Sequence, residues 1–383
     1  MNRALVLASV ASMIDQFNMP NIRLMIEMGY EVDVATNFIE GNTCSVEKIT
    51  ALKVTLRKMN VRCLQIDFSR NVLNIRQNIK AYKQTRKIID ENNYALIHSH
   101  SPIGGFLSRI AARNARKHGS KMIYTAHGFH FFKGAPLINW LVFYPIEKLC
   151  SRWTDVLITI TREDYHLAQN KMHAKKVIYV PGVGIDTAVF APMACDAVTN
   201  AKKRKELKLA MTDIVMLSVG ELNKNKNHEI MLRAMAQLGN KDLHYVIAGQ
   251  GNLKDYLEKL ARELGVADKL HLLGFRSDVK ELFKIADFFA HPSFREGLSV
   301  AVMEAMANAL PVICTGIRGN TDLIENNKGG YLFKPDEQET AYKALKNMVE
   351  CRNRKSFGNF NLKKAESLDI TYIMHTMKNI YSL

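Results

Sequence analysis

Proline and tryptophan are scarce in this chain of 383 residues, at 9 and 2, and its six cysteines stand apart at positions 44, 63, 150, 195, 314 and 351. With no C-x-x-C pair and wide spacings, neither a zinc site nor a disulfide framework is expected, and a reducing cytoplasm suits the chain. No apolar run approaches the ~18 residues of a membrane-spanning helix, so any membrane attachment is expected at the surface. With 21 glycines, 23% charged and 47% hydrophobic residues, collagen-like, mucin-like and wholly disordered classes are excluded. Acidic residues are in deficit, 37 against 53 Lys and Arg, for a net charge of +16. Such a bias points to an anionic partner: phosphate, nucleic acid or lipid headgroup. The excess lies mainly in the first 190 residues, which hold 25 basic and 14 acidic residues, against 28 and 23 in the rest. Nucleic acid is set aside because no zinc-finger, helix-turn-helix or RNP-like motif is present.

What the chain does have is alternation. Short β-branched or apolar runs near Ala4–Ala8, Glu31–Thr36, Val61–Ile66, Ala95–His98, Lys121–Thr125, Val156–Ile160 and Val177–Val180 are separated by helical patterns. The opening segment reads as a buried first strand rather than a signal h-region, having one basic residue and no convincing cleavage site. After Pro181-Gly182-Val183-Gly184 the periodicity fades, and it restarts with strands near Ile214–Val219, Tyr245–Gly249, Leu270–Leu272, Phe288–His291 and Pro311–Thr315. The expectation is α/β: two doubly wound Rossmann-like domains facing across a cleft. Residues 1–185 form the first, 186–205 a linker, 206–365 the second, and 366–383 a C-terminal helix expected to pack back on the first domain.

Ligands of such sheets sit beyond the strand carboxyl ends. There lie His98, His100, His127 and His130. With no acidic ligand nearby they read as hydrogen-bonding strand-end residues, so no metal is expected. A strand at 288–291 runs into a loop with Glu296 and Gly297, and Ser299 is a plausible N-cap for a helix carrying Glu304. A helix start attracts phosphate, and the two carboxylates can accept hydrogen bonds from sugar hydroxyls; the alternative is a turn acid and a helix-surface acid. Gly249-Gln250-Gly251 lacks the third glycine of a dinucleotide fingerprint and reads as a tight strand-to-helix turn.

Taken together, the segments Ser218 to His228, Ile247 to Gly251, Leu273 to Asp278, the E-x7-E run of Glu296 and Glu304, and Ala309 to Ile313 resemble the retaining glycosyltransferases of family 4, which have the two-domain GT-B fold. Thr125 to Pro136 and Thr154 to Ile160 look like the branch that builds capsular and exopolysaccharide repeat units on lipid carriers. The resemblance implies that Glu296 holds donor-sugar hydroxyls, that backbone groups near Gly297, Leu298 and Ser299 meet the diphosphate, and that Glu304 binds the ribose. Lys226 would take the diphosphate, with Gly220 beside it, although a solvated turn lysine is the alternative. Phe275 and Arg276 would lie near the base and His127 near donor sugar or phosphate. Where the family has an Arg after the glycine of V-G-R-L, this chain has Glu221, expected to turn away and pair with a lysine while Lys224 or Arg295 supplies the missing charge. Catalysis would be positioning and charge stabilisation of the leaving diphosphate, needing neither cofactor nor metal.

Arg76, Lys80, Lys83 and Lys87 recur at helical spacing opposite Val72, Ile75, Ile79 and Tyr82, predicting a helix with a basic and a core face, and Arg109, Arg113, Arg116 and Lys117 repeat the theme. These faces are either anionic-membrane contacts or ordinary solvated surface. Phe129, Phe131 and Phe132, with 137–144, are expected to dip into headgroups, to receive a lipid-linked acceptor, or to be buried. Ser12, Gly104, Gly105 and His130 complete the acceptor-side candidates. The expected activity is transfer of a hexosyl or N-acetylhexosaminyl group from a UDP-sugar to a polyprenyl-diphosphate-linked saccharide, in a cytoplasmic protein peripheral to the inner membrane face. The rival is a UDP-sugar epimerase or hydrolase on the same fold.

Overall fold

The computed structural model describes residues 2–192 and 197–383; Cys195 and part of the expected linker lie outside them. Two compact units result, one of residues 1–183 with 373–383, the other of residues 184–372.

The first unit is a seven-stranded sheet of β1 (Arg3–Val10), β2 (Glu31–Asn37), β3 (Arg62–Gln65), β4 (Leu96–His100), β5 (Lys121–Ala126), β6 (Val156–Thr159) and β7 (Lys176–Tyr179), ordered β3-β2-β1-β4-β5-β6-β7. All its pairings are parallel. Helices cover such a sheet on both faces, so β1 reads Ala-Leu-Val-Leu-Ala without polar alternation and is buried throughout that run. The final helix, Ile370–Ser382, places Ile373, Met377, Ile380 and Tyr381 in this core.

The second unit holds β8 (Ile214–Val219), β9 (Leu243–Ala248), β10 (Leu270–Leu272), β11 (Phe288–His291), β12 (Val312–Thr315) and β13 (Gly330–Phe333), all parallel in the order β10-β9-β8-β11-β12-β13. The edge strand β13 was not expected from sequence. The expected linker instead carries helices at Thr187–Phe190 and Ala197–Glu206, and Lys203 and Arg204 of the latter are buried within this unit. Lys203 bonds Asp278 at 2.6 Å, while Arg204 reaches the carbonyls of Ala210, Asp213 and Ile285, so these two residues of the expected linker are structural donors.

The amphipathic helix of the first unit spans Ile75–Asn92, but it buries Ala81, Thr85 and Ile89. Val72, Ile75 and Ile79, expected in the core, are exposed, because the sheet beneath meets the small-residue side of the helix. None of the described helices is long and apolar enough to cross a membrane.

Candidate active site

In the second unit the strand order reverses between β8 and β11, the place where open α/β sheets bind their ligands beyond the strand carboxyl ends. After β8, Gly220 has φ of 156°, and a Cβ at that position would lie 3.2 Å from Lys226 Cε; the missing side chain lets Lys226 fold back over the strand end. The side chain of Asn223 accepts from the Lys226 N–H at 3.0 Å and closes the short turn Lys224–Lys226. After β11, the Phe294 N–H donates to Asn225 O at 2.8 Å and Asn225 Nδ2 donates to Arg295 O at 2.9 Å. The two loops are thereby stitched together.

This stitching brings three groups to one point. Lys226 Nζ lies 2.7 Å from Glu296 Oε1, and His291 Nε2 lies 3.2 Å from the same oxygen. Burial raises the Glu296 pKa, but His291 and Lys226 outweigh it and hold the carboxyl down at about 2. Burial pushes His291 below its ordinary value, so near neutral pH it is a neutral N–H donor to the carboxylate and Lys226 carries the charge. Among the described residues nothing bonds Glu296 Oε2, and two Lys226 donors are uncommitted, so the cluster offers an acceptor for a hydroxyl beside donors for a phosphate. From sequence His291 is only the last residue of the expected strand; its place at a strand end, five residues before the acid, is the signal that points to it.

Ser299 caps the helix Val300–Ala307, its hydroxyl accepting from the Val302 N–H at 3.4 Å, and Gly297 and Leu298 precede it. One turn in, Glu304 has no side-chain hydrogen bond or ion pair among the described residues, and burial raises its pKa to about 7 against the weaker opposing charge of Lys280. The loop after β12, which has no recognisable motif in the sequence, also shapes the site. Gly319 has φ of 83°, and a Cβ on it would overlap the carbonyl of Gly297, so this loop props the acid loop from behind. Thr315 Oγ1 donates to Ser293 O at 2.6 Å on the same seam.

Other expected residues fall elsewhere. Glu221 is exposed and accepts from Asn223 Nδ2 at 2.7 Å, pairing with an amide rather than a lysine. Lys224 and Arg295 make no ion pair with Glu296; Lys224 lines a separate hollow with Arg233, Tyr256 and Phe294. Phe275 is 77% exposed, whereas the Arg276 side chain is spent on Asp278, at 2.6 and 2.5 Å, and on Glu206 at 2.8 Å. Gly249 and Gly251 press on the backbone of Gly220 and Leu222, the close packing of a strand-to-helix turn.

In the first unit, His98 is buried between Tyr381 OH at 2.9 Å and Thr125 Oγ1 at 2.8 Å, and His100 Nδ1 meets His127 Nε2 at 3.1 Å. Phe129 and Phe131, expected at an acceptor or membrane surface, are buried and stacked on each other at 4.8 Å, because β5 and β6 offer them an apolar bed with Leu157 and Ala168. His130 packs on Phe143 at 4.8 Å. Ser12 is buried, its backbone N–H donating to Asn42 and its hydroxyl accepting from Thr43. Gly104 and Gly105 are buried against Ser9 and the Tyr124 ring. Of the second basic stripe, Arg109 is buried on the Tyr124 face and paired with Glu147 at 2.5 and 2.9 Å, and Arg116 grips Asp155 at 2.8 and 2.7 Å. Lys80 pairs with Asp67 at 2.7 Å and Lys87 with Glu91 at 3.9 Å, while Arg76 and Lys83 stand on the same helix without ion pairs among the described residues.

Comparison with known proteins follows the two units. The profile described as Glycosyltransferase Family 4 matches residues 22–189, and that described as Glycosyl transferases group 1 matches residues 199–363. EpsD of Bacillus subtilis (strain 168), a glycosyltransferase by name, is 37% identical over 321 residues, 83% of this chain and 80% of its own. The UDP-Gal:alpha-D-GlcNAc-diphosphoundecaprenol alpha-1,3-galactosyltransferase of Escherichia coli is 29% identical over 316 residues, 78% of this chain and 80% of its own. Among solved structures, Anabaena Alr3699/HepE in complex with UDP and glucose superposes with a TM-score of 0.77 at 18% identity, covering 100% of both chains. WaaG, a glycosyltransferase involved in lipopolysaccharide biosynthesis, gives 0.70 at 17% identity over 98% of this chain and 99% of its own. Two parallel Rossmann-like sheets, both halves matched by glycosyltransferase profiles, and extensive identity to EpsD lead to one conclusion: the chain belongs to the family 4 glycosyltransferases, whose fold is GT-B.

Proposed function

We propose that the protein is a retaining glycosyltransferase that moves a hexosyl or N-acetylhexosaminyl group from a UDP-sugar to a polyprenyl-diphosphate-linked saccharide in surface-glycan synthesis. The observation that carries this reading is the Lys226–Glu296–His291 cluster at the mouth of a capped helix. Glu296, fixed as a carboxylate, accepts a donor-sugar hydroxyl on Oε2. Lys226 and the helix start take negative charge as it collects on the departing diphosphate. Glu304 accepts the ribose hydroxyls, and His127 contributes a hydrogen bond to donor sugar or phosphate. These groups do the work of a divalent metal, so none is required. The chemistry of the acceptor is supported by the relatives that act on diphosphoundecaprenol-linked sugars.

Attachment to the inner membrane face belongs to the same reading, with its surface revised. In place of the buried Phe129 and Phe131, the helix Leu137–Ser151 exposes Leu137, Ile138, Leu141 and Leu149, with Leu137 80% exposed, and Lys148 and Arg152 stand near its end. Arg76 and Lys83, the cations of the helix Ile75–Asn92 left without an ion pair among the described residues, would contact anionic headgroups.

The test is to incubate the full chain with a panel of UDP-sugars and a polyprenyl-diphosphate monosaccharide and to follow UDP release and lipid-linked product. Release that depends on the acceptor is expected. Interconversion of the UDP-sugar without acceptor would establish the epimerase reading instead, and acceptor-independent UDP release the hydrolase.

A further inference from the structure

The first unit contains a buried pair of imidazoles that the proposed chemistry does not use. His98 and His100 stand two apart on β4, their rings 4.1 Å between centroids, and His100 is 2% exposed. His98 is satisfied on both nitrogens by hydroxyls that can donate or accept, so it places no demand on its neighbour. His100 bonds His127 Nε2, at 3.1 Å from its Nδ1. Its Nε2 is buried and has no hydrogen-bond partner among the described residues. A small cavity adjoins both the His100 and His127 rings, walled by Phe17, Ile158, Ile160 and Met374, and the Asn21 side chain that also lines it has its own unpartnered oxygen.

One proton must lie between the His100 and His127 rings, and the surroundings decide which ring owns it. If His100 carried its proton on Nε2, a buried N–H would lack an acceptor, which folded proteins rarely tolerate; a bare lone pair there is the cheaper orphan. His100 therefore carries the proton on Nδ1 and donates it, which leaves His127 Nε2 as the acceptor and Nδ1 as the protonated nitrogen of His127.

We propose that His100 is a positioning residue: by donating Nδ1–H to His127 Nε2 it fixes the ring and the tautomer of His127, so that the partly exposed His127 presents Nδ1–H to a phosphate oxygen or sugar hydroxyl. The role rests on the reading of His127 as a substrate contact, and it makes that histidine a neutral donor rather than a base. Burial lowers the pKa of His98, His100 and His127 alike, to about 3, well below normal and about 4, so the triad stays uncharged near neutrality. A neutral imidazole can act as a directed donor only if its tautomer is set by what its other nitrogen touches.

The experiment joins spectroscopy to kinetics on the full chain. In protein labelled with 15N-histidine, long-range proton–nitrogen correlation should show His127, identified by its loss in His127→Gln, protonated on Nδ1 and bare on Nε2. His100→Asn keeps an N–H near the position of Nδ1, whereas His100→Gln moves it toward Nε2 and His100→Leu removes it. With the UDP-sugar and acceptor that give turnover, kcat should fall about 10- to 100-fold in His100→Leu and His100→Gln, while KM for the UDP-sugar changes about 3-fold or less and His100→Asn stays within about 3-fold of the parent. Unchanged melting temperatures would separate this from a folding defect. His127 protonated on Nε2, or Gln rescuing as well as Asn, overturns the proposal. Undiminished kcat in His127→Ala overturns the reading of His127 on which it rests, whatever the tautomer.

Discussion

Glu304 supplies the sharpest test of the proposed nucleotide site. Burial raises its pKa from 4.5 to about 7, and no side-chain partner offsets that cost among the described residues. If both ribose hydroxyls donate to it, UDP-sugar binds only the ionised form. The competent fraction is about 0.09 at pH 6 and about 0.9 at pH 8, so the apparent Kd should tighten about tenfold between them. The ligand should be an intact UDP-sugar, because the terminal phosphate of free UDP titrates near pH 6 itself. Isothermal titration at pH 6, 7 and 8 measures the slope, and proton release on binding should fall from about 0.9 at pH 6 to about 0.5 at pH 7 and about 0.1 at pH 8. Glu304→Gln should bind more weakly and with no slope. Folding carries the opposite sign: a raised folded-state pKa favours the native state fully below about pH 4.5, and about 3 kcal/mol of that advantage is lost as pH rises through 7. A wild-type Kd independent of pH, or an equal slope in Glu304→Gln, would refute the assignment.

Glu296→Gln keeps the shape but removes the charge that Lys226 and His291 surround; kcat should fall about 10²–10³-fold with donor affinity little changed, and full turnover in the variant would remove Glu296 from the mechanism. Lys226→Ala should instead weaken UDP binding by calorimetry, since it withdraws the cation bonded to Glu296. Transfer should survive excess EDTA; complete loss restored by magnesium or manganese would reject the account of the leaving group. Vesicle sedimentation should require anionic lipid and weaken with salt. Leu137→Glu with Leu141→Glu, and separately reversal of Arg76, Lys80, Lys83 and Lys87 to Glu, should each release the protein from vesicles while leaving UDP affinity intact, and unchanged sedimentation would return those surfaces to solvent.

Several features were legible because they are local. A strand followed by Glu296, a capping Ser299 and a helix carrying Glu304 is a pattern of neighbouring residues, and the structure reproduces it with the predicted cap. The alternation of apolar runs and helical periods likewise forces parallel sheets, since only crossover helices return the chain in the same direction. The edge strand β13 escaped because Gly330-Tyr331-Leu332-Phe333 is short and takes its identity from pairing with β12.

Tertiary structure decided which face of each pattern meets which neighbour. The stripe of Val72, Ile75 and Ile79 has the period of a core face, yet the sheet accepts Ala81, Thr85 and Ile89 instead and leaves the larger groups outside. Arg109 sits in a run of cations that reads as solvated surface, but Glu147 from a helix 38 residues on supplies its counter-charge inside the unit. Lys226 and Glu296, 70 residues apart, meet because β8 and β11 are neighbours in the sheet, and their contact sets the ionisation of Glu296. Composition and periodicity specify what a segment can become; burial, pairing and pKa belong to contacts between segments, and those exist only once the sheet order is settled.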